Sequence, residues 1–560
     1  MTRKNQIGGS DPITVEVIRH KLDSVAKEME STLFRSAFSQ IVKEARDASA
    51  SLFTIEGETL AQAIAIPNHL ATLIPMVRTL FETFPLDTLK EGDALILNDP
   101  YAGGTHLPDI AVVMPIFFQG RPIAISAAIT HHQDVGGMTP GSVPTNATDI
   151  FQEGIRIPAL KFLEGGRPNE TLVRMLRQNV RIPDLFMGDL NAQVAACSIG
   201  ARRIRELADE YGHNHLIAIF NTLLDRSEEM TRQALRALPD GTYRNVDFID
   251  NDGVDFDKTI RVEVAVTIKG DTMECDFEGT SPQVRGPFNC MPTGPYSAAC
   301  FAIRAVAGAD IPTNGGCFRP LSFRLPKGSL VNPVEPAPVG CRHTTIKRIA
   351  TCLLGALRQA APDRIPADGA GELLLLSFGG KRTDGTSYLT SQILIGGTGA
   401  SNRSDGVDIL DTDISNCRNV PAESMEMESP IRVHSMSLYR DSGGPGRYRG
   451  GLGCHQEYEL LDGEVIVTHR GERFIGGPAG AAEGLPGGRS TGVVRRADGS
   501  EQHIRSNEVV VMHKGDRLIV ETAGGGGYGN PAERDRALVA ADLRDGKISA
   551  AAAREIYRLP

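Results

Sequence analysis

Asn98-Asp99-Pro100-Tyr101-Ala102-Gly103-Gly104-Thr105-His106-Leu107-Pro108-Asp109 opens the stretch that organises this chain. An apolar run follows, and then His131-His132-Gln133-Asp134-Val135-Gly136-Gly137. Ile110 to Phe118 reads as a strand, Gln119-Gly120 as a turn, and Arg121 to Thr130 as a second strand. A two- or three-residue turn at that position sets residue 130 or 131 opposite Asp109. Pairing therefore predicts that Asp109 lies within a residue of His131. His106 stands just ahead of Asp109 in a Gly-rich loop that can fold back. Two imidazoles and a carboxylate converging at strand ends suit a Mn, Fe or Zn ion.

Working outward, the first helix opens at Asp11-Pro12, an N-cap followed by proline at the first helical position. Ile18, Leu22, Val25, Met29 and Leu33 give it one apolar face. Asp47 is expected at the end of that helical region, ahead of a strand from Ser49 to Ile55; a turn carboxylate is its plainest role. Ile66 to His69 reads as the end of a further short strand, and Leu70 to Phe84 as a helix. Beyond the hairpin, Leu172–Val180, Leu185–Tyr211 and His213–Leu238 carry helical periodicity. Strands are expected at 245–249, 260–268 and 273–277, and helices at 296–307 and 344–360. From Ile431 the chain turns β-rich and Gly-rich, with strands at 455–460, 464–469, 492–496 and 516–521 suited to a sandwich or barrel-like unit. Two short helices close it. The expected fold is α+β and multidomain. A metal-site domain is placed at 1–240, a mixed middle domain at 241–430, a β-rich domain at 431–530 and a helical tail at 531–560.

Composition narrows the function. The 560 residues give ample core and a net charge of −10, which argues against nucleic acid or an anionic membrane as the main partner. Met1 to Gln6 leads into no apolar run, so no signal peptide is expected. No uninterrupted apolar run reaches the roughly 18 residues of a transmembrane helix. The nine Cys are scattered without a CxxC pair, as expected of reduced cytoplasmic thiols. Cys341, beside Arg342-His343, is weighed as a nucleophile and set below a buried thiol. Gly524-Gly525-Gly526-Gly527-Tyr528-Gly529 lacks the Gly-Lys-Ser/Thr ending of a phosphate loop, so a tight structural turn is the better reading. With no nucleotide motif in this chain, any ATP site is expected on another one.

These motifs, with Glu153-Gly154, Asp441-Ser442-Gly443-Gly444 and Arg449-Gly450-Gly451, resemble those of the hydantoinase B family over nearly the whole chain. That family comprises small subunits of ATP-dependent hydantoin- and lactam-hydrolysing enzymes, the second half of 5-oxoprolinase, and related ketone-carboxylase subunits. The resemblance implies a metal ion on His106, Asp109 and His131, with Asp47 as a further acidic ligand. The run Lys43 to Ala50 departs from the Glu-Arg-x-Asp-Phe-Ser pattern expected around that last position. The resemblance also implies a larger hydantoinase A-like partner that binds ATP and phosphorylates a cyclic amide. Water acidified by the metal would then attack the activated carbon. Asp47 or Asp134 is the candidate to orient or deprotonate that water, and His132 to steady a ligand. Two alternatives stand beside this one: a subunit of a ketone carboxylase, and a scaffold subunit with a structural metal. A structural zinc site would more often be closed by four ligands including Cys, and none lies near these motifs.

Overall fold

The computed structural model describes residues 11–63, 66–308 and 310–559; the leader reading falls on residues outside these. The hairpin forms the middle of a seven-stranded sheet. Its strands are β1 (Ala48–Phe53), β2 (Thr59–Gln62), β3 (Ala94–Leu97), β4 (Asp109–Phe118), β5 (Arg121–His131), β6 (Leu160–Glu164) and β7 (Arg167–Pro168), in the order β2-β1-β5-β4-β3-β6-β7. Gln119 and Gly120 both take positive φ, 50° and 76°, the two-residue turn whose twist matches antiparallel strands. Phe118 then pairs with Arg121, and at the open end Asp109 pairs directly with His131. On the other side of β5, Ala48 pairs with Thr130, so Asp47 stands beside His131.

Alternation along these strands splits the sheet into two faces. Ile110, Val112, Met114 and Ala128 pack on the helix Pro183–Tyr211, through Phe186, Leu190 and Cys197. Ala48, Ala50 and Leu52 of β1 join the core formed with the helix Pro12–Ser36 on that same side. Ala111, Val113, Ala127 and Ile129 face the opposite way, onto Leu73, Met76, Val77 and Leu80 of the helix Leu73–Thr83. By the same alternation Asp47, Asp109 and His131 point to this second face, at its open edge. Burial on both faces explains why β4 and β5 read as almost unbroken apolar runs.

A second sheet is built from Gly241–Ile249, Ile260–Lys269, Thr272–Asp276 and Leu321–Arg324, with the helices Thr293–Ala307 and Arg342–Ala360 packed near it. The C-terminal part is two sheets sharing one core around Phe378, Tyr458 and Val467. One of them joins Leu373–Lys381 and Ser387–Ile395 to Glu464–Arg470 and Val509–His513. The boundary expected at 430 therefore needs correcting, because strands on either side of it belong to one sheet. The reason is packing: Leu374, Leu376 and Phe378 bury their side chains in the same cluster as Val465 and Val467. Ile66–His69 also differs from expectation, since Pro67–His69 is a 3-10 turn leading into the next helix.

Candidate active site

The row Asp47, His131, Asp109 is set by strand register, and loops bring two more imidazoles to it. His106 folds back so that its Nε2 lies 3.2 Å from Asp109 Oδ1 and its ring centroid 5.0 Å from that of His131. His69 arrives from the 3-10 turn above the same sheet face, with Nε2 3.9 Å from Asp47 Oδ1. All three imidazoles are buried, and burial holds each below its ordinary pKa, His69 at about 4 and His131 well below 6.5. They are therefore neutral near pH 7, with lone pairs available to a cation.

The surroundings fix these side chains. Asn98 ties the loop down by donating from Nδ2 to the carbonyls of Leu107 (2.7 Å) and Ile155 (3.0 Å) and accepting from Ile157 N–H (2.6 Å). His106 donates from Nδ1 to Gly340 O at 2.9 Å, which leaves its Nε2 as the free acceptor. The Gly340 N–H in turn donates to Glu153 Oε1 at 2.6 Å, so the Glu153-Gly154 motif braces the turn that aims His106. Gly154 is a glycine because its φ is 141° and a Cβ there would meet Val135 O at 2.6 Å. Asp109 Oδ2 accepts from Thr105 and from the Arg342 guanidinium. Burial pushes the Asp109 carboxyl up, but His106 and Arg342 outweigh it and hold the pKa well below the usual range. Asp47 shows the opposite balance: burial and the charge of Asp109 raise its pKa to about 7.

Whether a metal suits this place is read from its unpaired atoms. His106 Nε2, His131 Nδ1, both His69 nitrogens and Asp109 Oδ1 are buried without a hydrogen-bond partner. Orphaned buried acceptors are costly and call for something to bind them. Three neutral imidazoles and two carboxylates fit a Mn, Fe or Zn ion in donor chemistry. Among the described residues no three such side chains are already grouped to hold one. His106 and Asp109 lean on each other, so binding would require them to part.

Two of the expected site residues are elsewhere. His132 follows His131 and so falls on the opposite face, where Nε2 meets Gln193 Oε1 at 3.0 Å and the ring packs 4.7 Å from Phe186. It donates no hydrogen bond to a candidate ligand. Asp134 is saturated, accepting from the N–H groups of Gly136, Gly141 and Arg181 and from Arg181 Nη1 at 2.9 Å. It anchors a loop and has no lone pair to spare for a water. Cys341 is buried with its thiol pushed up to about 12, so it is no nucleophile. In the glycine run, the N–H groups of Gly525, Gly526 and Gly527 donate to Gly451, Asp368 and Leu485 carbonyls at 2.8 to 2.9 Å. None is left for a phosphate.

His69, Arg342 and Arg470 were not singled out from the sequence. The Pro67-Asn68-His69 turn ahead of an apolar helix was the available signal for the first. The arginines are brought in from distant elements and carry no local signal.

The family model of hydantoinase B/oxoprolinase matches residues 11–531. The chain belongs to the hydantoinase B/oxoprolinase family. The beta subunit of caprolactamase from Pseudomonas jessenii is 33% identical over 98% of this chain and 96% of its own length. The crystal structure of the ATP-dependent caprolactamase superposes with a TM-score of 0.91, covering 98% of this chain and 96% of that one. The 5-oxoprolinase 1 of Arabidopsis thaliana is 31% identical over 93% of this chain, which spans 42% of that protein. Acetone carboxylase in its nucleotide-free structure also gives a TM-score of 0.91, over 98% of this chain and 79% of its own, at 20% identity; that likeness concerns the fold alone. No helix among the described residues is long and apolar enough to cross a membrane.

Proposed function

We propose that this chain is the hydrolytic, metal-dependent subunit of an ATP-dependent cyclic-amide hydrolase. The observation that carries the reading is the row Asp47–His131–Asp109, flanked by His69 and His106, with buried nitrogens and an oxygen left unpartnered. The caprolactamase and 5-oxoprolinase relatives give the substrate class, a lactam, hydantoin or oxoproline ring. A larger partner subunit would bind ATP and phosphorylate the amide oxygen, which makes the ring carbon a better electrophile than the resonance-stabilised amide.

His69, His106, His131, Asp109 and Asp47 would hold a divalent Mn, Fe or Zn ion. When bound, such an ion supplies Lewis acidity and lowers the pKa of water. Arg342 holds Asp109 ionised and in place, and Gly340 O keeps the proton of His106 on Nδ1. Asp47, with a pKa raised to about 7, can take a proton from water near neutral pH if it is not itself a ligand. Burial excludes bulk water, so that an activated substrate loses its phosphate at this site and not in solution. Atoms balance as cyclic amide, ATP and water giving a ring-opened amino acid or carbamoyl amino acid, ADP and phosphate.

Co-expression with the larger subunit, followed by assays against hydantoins, lactams and ketones, tests this. ATP-dependent ring opening is expected, with loss on chelation and on His131→Ala. Carboxylation of a ketone without ring opening would assign the chain to the carboxylase branch, and turnover indifferent to chelation would remove the metal.

A further inference from the structure

Arg470 ends the strand Glu464–Arg470 inside the molecule, 4% exposed. Among the described residues its side chain makes no ion pair and no hydrogen bond, and its Nε is buried without a partner. An unpaired buried guanidinium is disfavoured enough that an anion is expected opposite it. His343 is the second unpaired donor. Asn68 Nδ2 donates to its Nδ1 at 3.0 Å, which puts the ring proton on Nε2, and that atom is buried with no partner. His343 is 7% exposed and sits in the first turn of the helix Arg342–Ala360, whose positive end therefore faces the same space. Arg342, next to it, binds Asp109, so this helix start lies against the His and Asp side chains of the candidate site.

Access is also present. A cleft of about 500 Å³ is lined by Glu44, Ile393, Asp411, Cys417 and Gln456 among others. Asp411 is taken by Lys347 Nζ at 2.6 Å, one turn along the helix from His343, and by the Cys417 N–H at 2.7 Å. The charges of Asp47 and Arg470 both act on neighbouring Cys side chains here, Asp47 on Cys417 and Arg470 on Cys341. The cleft floor thus borders the inner chamber where Arg470 ends.

We propose that Arg470 and His343 Nε2–H form an anion subsite that holds the phosphoryl group of the activated substrate. This rests on the hydrolase reading above and adds how the site recognises what the partner delivers. A guanidinium fork matches phosphoryl oxygens, and a neutral imidazole N–H adds a donor without like-charge repulsion. Both are positioning residues, holding the leaving oxygens while the ring carbon lies over the Asp47 row.

The test is calorimetric titration of inorganic phosphate into the purified, chelator-treated full chain, with acetate as a second probe. Saturable binding of phosphate is expected, about tenfold or more weaker in Arg470→Met, partly restored in Arg470→Lys and weakened in His343→Gln. No saturable binding by the wild type, or equal binding by Arg470→Met, would overturn the subsite. Acetate binding as tightly as phosphate would overturn the phosphoryl assignment in favour of a substrate carboxylate. If Arg470→Met does not fold, the wild-type titration and the lysine variant still decide. Phosphate binding uses no turnover, so intact binding beside an inactive reconstituted complex would sink the hydrolase reading and leave the subsite standing.

Discussion

Asp47 is the residue whose role is least fixed by position. It lies beside His131 through β1 and β5, and 3.9 Å from His69. A lost ligand lowers metal content and rate together, whereas a lost base leaves metal in place and lowers turnover by about 10²–10⁴-fold. Asp47→Asn is expected to lose both, as read by elemental analysis and assay of the reconstituted complex; full metal content with abolished turnover would make Asp47 the base. Glu153 gives a separate test of how His106 is braced. Its carboxyl is raised from 4.5 to about 8, chiefly by burial, while the Gly340 N–H pulls the other way. The raised pKa means that the folded protein holds a proton which the unfolded chain has lost. The stabilisation from Glu153 is thus complete below about pH 4.5 and is lost as pH rises through about 8. Glu153→Gln, uncharged in both states, should flatten that loss by at least about 1 kcal/mol between pH 5 and 9 in chemical denaturation. Parallel pH profiles for the two proteins would show that Glu153 does not titrate this way.

The hairpin was legible because one turn fixes the register of two strands. Gln119-Gly120 leaves Asp109 opposite His131, and nothing distant is needed to see it. The same period-2 rule, applied one residue further, sends His132 to the other face, a step the expected site left out. His69, Arg342 and Arg470 were not legible, since their places depend on how a 3-10 turn, a helix start and a strand end from different parts of the chain meet. Gly200 records a comparable long-range demand, in the helix Pro183–Tyr211 where it crosses the sheet. A Cβ there would lie 2.5 Å from Ser126 Oγ and 2.6 Å from Met29 Sδ. Gly200→Val is expected to overpack this crossing and lower stability by about 1–3 kcal/mol. An unchanged denaturation midpoint would show that the helix has slack at this crossing.

At the scale of the whole molecule, the fold class followed from alternating helical and strand patterns, but the division at 430 did not survive. Sheet pairing between 373–395 and 464–513 is non-local, and local composition carries no trace of it. The filled glycine run agrees with a chain that takes activation from elsewhere, so the isolated chain is expected to show no ATP hydrolysis and no opening of an unactivated lactam. Robust ATP turnover by the chain alone, freed of co-purifying proteins, would contradict that division of labour. The central claim is that the face bearing Asp47, His69, His106, Asp109 and His131 holds a metal. Elemental analysis of the purified wild type, His106→Ala and His131→Ala tests it most directly. About one divalent ion per chain is expected in the wild type, falling sharply in both variants; full occupancy in both variants, or none in a metal-supplemented wild type, would contradict it.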